Sequence, residues 1–265
     1  MSLQRTELSR DQALKTQTGV RRQPTTTTGG LGLVVLGLLN GAFTATGGGC
    51  IAPGTRSSGA AALKECGPEG MIDDFEDNNN QSNVIDGRGG YWYTYADKLG
   101  TTIWPELGEN GGTFTPSEGG YNSKFAGEVK GRISTAVVVY AGLGLNFVDP
   151  RELYTASKYE GISFFAKRAA NSSGSVRLHV ADISTAPEGG ICSECFNDFG
   201  SDVNLTEEWQ RFVIPFRDMK QMDNWGVPRR PHVDSSKIFG LQWQTEIPGS
   251  IFDFTVDNVA FICRR

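Results

Sequence analysis

The five cysteines are the residues whose spacing says most about possible chemistry. Cys192 and Cys195 are separated by two residues, a spacing found in redox-active dithiols, in half of a zinc site and in local disulfides. A redox-active pair opens a helix after a strand, whereas Gly189 and Gly190 before this pair and Asn197 after it indicate a loop. A zinc site needs a second pair of ligands, and both histidines are distant in the sequence. The spacing therefore favours a disulfide that closes a loop.

Cys50 has a different setting, because it follows an apolar stretch at residues 31–45 and the small residues 46–49. The apolar stretch has the length of a signal-peptide core and is too short to cross a bilayer, and basic residues dominate the segment before it. A bacterial lipoprotein is cut and lipidated at such a cysteine, although the usual leucine three positions earlier is missing here. The alternative is a secreted protein in which Cys50 is an odd thiol.

These features predict an exported protein with three parts. Residues 1–49 form a signal peptide with an extended basic region, and residues 50–69 form a flexible tether rich in glycine, alanine and serine. Residues 70–265 form the folded domain. Lipidation of Cys50 would anchor this domain at the outer membrane or cell surface.

The composition is rich in glycine and aromatic residues and poor in charge, with 34 glycines, 15 phenylalanines and 21% charged residues. Helical bundles use more alanine, glutamate, lysine and leucine, so this composition favours short strands joined by tight turns. The formal net charge is -5, and no stripe of basic residues is present. A nucleic-acid partner is therefore not expected, because its binding depends on clustered lysine and arginine side chains.

From residue 71 onward, short alternating segments are separated by turn dipeptides, which predicts an all-β sandwich of about nine to ten strands. The best candidate for a short helix is the segment 216–222. The predicted strands cover residues 71–76, 91–95, 124–129, 136–147, 161–167, 175–182, 210–216, 238–244 and 252–262.

Alternation along these strands separates core positions from positions on the outer face. The outer positions of several strands carry planar hydrogen-bonding groups and an aromatic ring, which suit a polyhydroxylated ligand, and a loop tryptophan could flank a cleft. The alternative is an ordinary solvated sheet face. Trp92 faces opposite to Tyr91 and Tyr93, so at least one of those two sides belongs to the core. The predicted ligand-binding residues are Phe165, Arg177, His179, Trp225, Gln242 and Gln244.

Six segments resemble, in the same order, strands of jelly-roll carbohydrate-binding modules of the family-eleven type, within the wider galactose-binding-like superfamily. The resemblance spans residues 71–262 and implies a jelly-roll β-sandwich that binds a polysaccharide on one sheet face. The segments are IDDFED at 72–77, GYWYTYAD at 90–97, YEGISFFAK at 159–167, EWQRFVIPF at 208–216, GLQWQ at 240–244 and FDFTVDNVAF at 252–261.

The resemblance also implies a structural Ca²⁺ where the first and last strands meet, with Glu76 and Asp257 as ligands. Carboxylate oxygens from distant segments are suitable ligands for this hard cation. The same adjacency of first and last strands would bring Cys66 close enough to Cys263 to form a disulfide.

No catalytic pattern stands out, since the sequence has neither a Glu-x-Asp-x-Glu strand nor a Gly-x-Ser-x-Gly elbow. We therefore expect a non-catalytic, surface-tethered lipoprotein that binds a polysaccharide or oligosaccharide. The alternatives are a structural or assembly lipoprotein that binds a protein partner and, less favoured, a glycan-active enzyme.

Overall fold

The computed structural model describes residues 63–107 and 114–264. The predicted signal peptide, most of the tether and Cys50 lie outside the described residues. Within the described ranges, nearly all regular structure is β-strand, which confirms the predicted fold class. No helix in those ranges is both long and apolar enough to cross a membrane.

The described strands are named in chain order, and a short helix α1 (Gly67–Gly70) lies between the first two. The strands are β1 (Leu63–Glu65), β2 (Met71–Asp73), β3 (Trp92–Ala96), β4 (Thr102–Trp104), β5 (Ser117–Glu118), β6 (Phe125–Arg132), β7 (Ala141–Asn146), β8 (Gly161–Arg168), β9 (Ser175–Asp182), β10 (Phe199–Asn204), β11 (Gln210–Pro215), β12 (Ile238–Thr245) and β13 (Ile251–Arg264).

Two antiparallel sheets form the sandwich. The eight-stranded sheet has the order β11-β8-β13-β6-β4, with β1 and β2 paired to β13 and β5 paired to β6. The five-stranded sheet has the order β10-β9-β12-β7-β3. Some strands that follow each other in the sequence, such as β8 and β9, lie in different sheets, whereas β9 and β10 are neighbours in one sheet.

The core lies between the inner faces of the two sheets and is rich in aromatic rings. Trp92 and Trp243 of the five-stranded sheet are fully buried, with ring centroids 5.7 Å apart. Phe164 of the eight-stranded sheet meets Trp243 edge-on at 5.4 Å. Such contacts combine burial of large apolar surfaces with favourable ring geometry, so they hold the sheets in a fixed relation.

The predicted strand 71–76 ends early, at Asp73, because the chain turns there. Phe75 has a φ of 60°, in the left-handed region, and its N–H donates to Oδ1 of Asp73 at 2.8 Å. The turn sends the Phe75 ring into the core, where its centroid lies 4.9 Å from that of Trp92.

The predicted helix 216–222 is wrong in extent, because only Phe216–Asp218 form a single 3₁₀ turn. Met219 is already extended, with a ψ of 140°.

Both predicted disulfides are confirmed. Cys66 and Cys263 have an S–S distance of 2.11 Å, and Cys192 and Cys195 have one of 2.02 Å. The first bridge lies where β1 runs beside the end of β13. The second lies in the loop between β9 and β10.

Candidate functional site

The outer face of the five-stranded sheet carries two rows of side chains that run across all five strands. In the first row, Tyr93 of β3 lies opposite Gly144, which lies opposite Gln242. Gln242 in turn pairs with His179, and His179 pairs with Gly200 of β10. Residues in such a row lie within side-chain contact of their neighbours, so Gln242 and His179 share one surface, as predicted.

The second row is displaced by two residues along each strand and therefore lies on the same face. It runs from Tyr95 of β3 through Gly142 and Gln244 to Arg177 and ends at Asp202. The predicted pair Arg177 and Gln244 is thus brought together from strands that are far apart in the sequence.

Glycines on β7 make room for the two tyrosine rings. A Cβ at Gly144 would collide with the ring of Tyr93, and one at Gly142 would lie 2.8 Å from Oη of Tyr95. The rings therefore extend across β7 toward β12, where Nε2 of Gln242 donates to Oη of Tyr93 at 2.9 Å. Oη of Tyr95 donates to Oε1 of Gln244 at 3.3 Å.

Arg177 is held in place from two sides. Its Nη1 donates to Oδ1 of Asp202 at 2.8 Å, and its Nη2 donates to the carbonyl oxygen of Lys220 at 2.5 Å. The guanidinium lies above Gly200, where a Cβ would be 2.8 Å from Nε. Because the ionised partner strengthens one of these hydrogen bonds, the planar group is oriented before any ligand arrives.

A cleft of about 440 Å³ opens on this face, within the size range of small-molecule sites. Arg177, His179 and Gln244 lie on the strands beneath it, and Trp225 contributes from a loop. His179 is only 6% exposed, so it offers little surface of its own. The other lining residues come from loops and from the residues after β12: Val137, Val138, Val139, Tyr140, Cys195, Phe196, Met222, Asp223, Glu246 and Pro248.

The fold has counterparts among solved structures, although no protein-family model and no curated protein matches the chain. The family 11 carbohydrate-binding module of the cellulosomal cellulase Lic26A-Cel5E of Clostridium thermocellum matches with a TM-score of 0.50 and 18% identity, over 78% of this chain and 96% of that chain. The two chains share the β-sandwich fold.

Two further structures show the same kind of likeness. A family 11 module from Clostridium thermocellum in complex with a β-1,3-1,4-mixed-linked tetrasaccharide matches with a TM-score of 0.50 and 19% identity, over 74% of this chain and 95% of that chain. A family 30 module of a Clostridium thermocellum cellulosomal cellulase matches with a TM-score of 0.46 and 16% identity, over 70% of this chain and 97% of that chain.

Phe165 is not where the sequence analysis placed it relative to the other predicted site residues. In this β-sandwich it belongs to β8 of the eight-stranded sheet, and its ring stacks on Tyr121 with centroids 3.7 Å apart. The expectation of one shared face is wrong for this residue. Alternation distinguishes inner from outer positions but does not say which of two sheets a strand joins.

Tyr93 is a candidate binding residue that the sequence analysis did not select, and Tyr95, which is only 9% exposed, contacts Gln244 in the neighbouring row. Tyr93 appeared there only as a residue that faces opposite to Trp92. A usable signal was present, since Gly142 and Gly144 alternate along β7 and leave outer positions without side chains. Empty positions on a strand allow rings from the neighbouring strand to lie across them.

Glu76, a predicted calcium ligand, accepts backbone N–H groups from the loop that leads into β6. Its Oε1 accepts hydrogen bonds from Lys124 at 2.9 Å and from Phe125 at 2.7 Å. The Glu76 carboxylate therefore already accepts hydrogen bonds from the described part of the chain.

Asp257, the other predicted ligand, faces the same loop from β13. Its Oδ2 accepts from the N–H of Tyr121 at 2.6 Å and from Oγ of Ser123 at 3.0 Å, and its Oδ1 accepts from the N–H of Asn258 at 2.6 Å. Burial raises the pKa of Asp257 to about 6, and the negative charge of Glu76 adds to that shift, whereas these hydrogen bonds oppose it.

Glu76 and Asp257 do not fit a cation in this arrangement, because N–H and O–H groups donate to the carboxylate oxygens that would bind it. No group of three or more histidine, cysteine, aspartate or glutamate side chains within residues 63–107 and 114–264 could hold a metal ion. The calcium assignment stays a prediction.

Proposed function

We propose that this protein is a non-catalytic carbohydrate-binding protein that holds a polysaccharide along the outer face of its five-stranded sheet. The observation that carries the proposal is the pair of cross-strand rows, which place tyrosine, glutamine and arginine side chains side by side. The cleft lined by Arg177, Gln244 and Trp225 continues the same surface.

The chemistry of this surface suits a sugar chain. The apolar C–H face of a pyranose ring can stack on Tyr93 or Trp225, and such stacking supplies affinity. The planar side chains of Gln242 and Gln244 can donate to one hydroxyl and accept from the next. The solved module that holds a β-1,3-1,4-mixed-linked tetrasaccharide makes a β-linked glucan the first ligand class to test.

We propose further that the protein acts outside the cytoplasm and is tethered to a membrane through a lipid on Cys50. The two disulfides support export, since such bonds persist in oxidising compartments. A tether made of the residues between Cys50 and β1 would let the binding domain reach a polymer away from the membrane. Mass spectrometry of Cys50-containing peptides from the native protein tests the anchor, and an unmodified thiol there contradicts it.

The first experiment is affinity electrophoresis of the purified, disulfide-intact protein in gels that contain mixed-linked β-glucan, another soluble glucan or xylan. The double variant Arg177→Ala/Gln244→Ala should lose retardation, with a dissociation constant raised at least about tenfold, because it removes two oriented hydrogen-bonding groups. The matched control is Arg211→Ala/Gln210→Ala, which removes the same two residue types from exposed positions on β11 of the other sheet.

Each outcome of this experiment has a distinct meaning. Equal retardation of the parent and of Arg177→Ala/Gln244→Ala contradicts the proposed face. If a folded parent is retarded by no polymer, the protein is better explained as a structural lipoprotein with a protein partner, and release of reducing ends would indicate an enzyme. Parallel melting curves with calcium and with chelator test the metal: no thermal shift and no calcium on metal analysis would contradict Glu76 and Asp257 as its ligands.

A further inference from the structure

The loop of residues 192–197, here called the disulfide loop, forms part of the cleft that the proposed function uses. Cys195 and Phe196 line the cleft together with Trp225. We propose that the disulfide loop positions Trp225 for glycan binding. An external dithiol that reduces Cys192–Cys195 then loosens this side of the cleft and weakens binding. This inference rests on the proposed function and adds a form of regulation to it.

Asn197 makes the closest connection between the disulfide loop and the segment that carries Trp225. Its Nδ2 donates to the carbonyl oxygens of Met222 at 2.9 Å and of Trp225 at 2.6 Å, and its Oδ1 accepts from the N–H of Met222 at 2.7 Å. The residue is only 1% exposed, so water does not compete freely for these hydrogen bonds. Asn197 therefore fixes the backbone on both sides of the turn that presents Trp225.

Glu194 makes the second connection, on the far side of Trp225. Its Oε2 accepts from the N–H of Gly226 at 3.1 Å, and its carbonyl oxygen accepts from the N–H of Val227 at 3.1 Å. The carbonyl oxygen of Val227 accepts in return from the N–H of Ser193 at 2.9 Å. Both Ser193 and Glu194 lie between the two bridged cysteines, so the disulfide constrains these donors and acceptors directly.

The disulfide loop is itself attached to the five-stranded sheet. The N–H of Phe196 donates to the carbonyl oxygen of Thr185, just after β9, at 2.8 Å. Phe196 has a φ of 74°, in the left-handed region, which a non-glycine residue adopts only when its surroundings impose it. Hydrogen bonds thus connect the disulfide loop to the sheet at Thr185 and to the segment that carries Trp225, and together they form one wall of the cleft.

The two disulfides differ in what they constrain. Cys192 and Cys195 are 3 residues apart in the sequence, whereas Cys66 and Cys263 are 197 apart. In the polymer description, the stabilisation that a disulfide gives to the whole fold grows with the logarithm of the loop it closes. The short bridge therefore contributes least to global stability, and its main effect is on the local shape of the loop.

Reduction of the short bridge proceeds through a mixed disulfide. A thiolate of the dithiol attacks Sγ of Cys192, because Cys192 is the more exposed of the two residues and Cys195 is only 5% exposed. The Cys192–Cys195 bond breaks, and Cys195 leaves as a thiolate that takes up a proton. The second thiol of the reagent then displaces Cys192, which is also protonated, while the dithiol is oxidised to its own disulfide.

The test compares the parent with Cys192→Ser/Cys195→Ser, with and without dithiothreitol, by titration with mixed-linked β-glucan. We expect dithiothreitol to raise the dissociation constant of the parent about tenfold. The variant should start at the weaker value and should not respond to the reagent. Because the variant retains Cys66–Cys263, a response of the variant would assign the effect to that bridge and overturn the proposal.

A readout without glycan separates this proposal from the proposed function. Hydrogen exchange at the amides of Gly226 and Val227 should be faster in Cys192→Ser/Cys195→Ser than in the parent, whereas exchange within β12 should not change. Unchanged exchange at those two amides overturns the positioning role, even if the parent binds glycan well. If the parent binds no polymer, the proposed function fails together with the claim of regulated binding, and exchange alone decides whether the loop positions Trp225.

Discussion

Asp73 shows how a single buried carboxyl can connect the core to a turn. It is 1% exposed; its Oδ1 accepts from the N–H of Phe75 at 2.8 Å, and its Oδ2 accepts from Nε1 of Trp92 at 2.6 Å. Burial raises the pKa of Asp73 to about 7, because the charged form is poorly solvated there, although both hydrogen bonds act against the shift. The folded protein therefore holds this proton more tightly than the unfolded chain does.

This pKa predicts how stability depends on pH. Since the folded value of about 7 exceeds the ordinary value of 3.8, the contribution of Asp73 is present at low pH and is lost as pH rises toward and past 7. The free energy of unfolding should fall by roughly 2–3 kcal/mol from this group between pH 5 and pH 8. Denaturant unfolding at several pH values measures the slope.

The variant Asp73→Asn should have a flatter slope between pH 5 and pH 8, because it has no proton to lose at that position. Burial also raises the pKa of Asp257, to about 6, so some slope of the same sign should remain in both proteins. Equal slopes in parent and variant would show that Asp73 does not titrate in this range.

At the scale of the strand, β7 contributes to the proposed site because two of its outer positions, Gly142 and Gly144, have no side chain. Gly144 lies beneath the ring of Tyr93, and the variant Gly144→Ala should displace that ring because the new Cβ would collide with it. We expect about tenfold weaker binding of mixed-linked β-glucan, measured by affinity electrophoresis, with the cleft residue Arg177 still in place.

A double-mutant cycle distinguishes ring displacement from a general loss of stability. If Gly144→Ala acts by moving Tyr93, its effect on binding should be largely absent in a Tyr93→Ala background. Additive losses in the double variant would show that the glycine affects binding by another route. Melting curves of all four proteins control for unfolding.

The local sequence pattern predicts which side chains of a strand face outward, but it does not predict which sheet the strand joins. Alternation assigns Arg177 and Gln244 to the outer face correctly, because a strand has a strict period of two residues. It does not assign Phe165, because β8 pairs with β11 and β13, whereas β9 pairs with β10 and β12. Pairing partners are distant in the sequence, so sheet membership is not encoded in any one strand.

Loop geometry is the other part that alternation misses. The apolar segment 136–147 predicts one long strand, but β7 begins only at Ala141. Val137, which is 89% exposed, instead lies in the loop that lines the cleft. An apolar residue that lines a cleft has the same local signature as one in a strand, and only the tertiary structure separates the two cases.

At the scale of the whole molecule, the resemblance of six ordered segments predicts the fold, the adjacency of first and last strands and the Cys66–Cys263 bridge. The order of the segments is a property of the whole chain, so it predicts the fold even where the pattern of a single strand does not identify its sheet. It does not predict the carboxylate contacts of Glu76 and Asp257, because these depend on how one loop, residues 121–125, packs against β13.

The long bridge should therefore have the larger effect on global stability. Cys66–Cys263 joins segments 197 residues apart, and the polymer description assigns such a loop about 5 kcal/mol of stabilisation, against about 2 kcal/mol for the loop closed by Cys192–Cys195. Chemical denaturation should accordingly show a much larger loss for Cys66→Ser/Cys263→Ser than for Cys192→Ser/Cys195→Ser. Glycan binding should show the reverse order wherever both variants are folded. A short-bridge variant as unstable as the long-bridge variant would mean that the disulfide loop supports the whole sandwich and is not a local wall of the cleft.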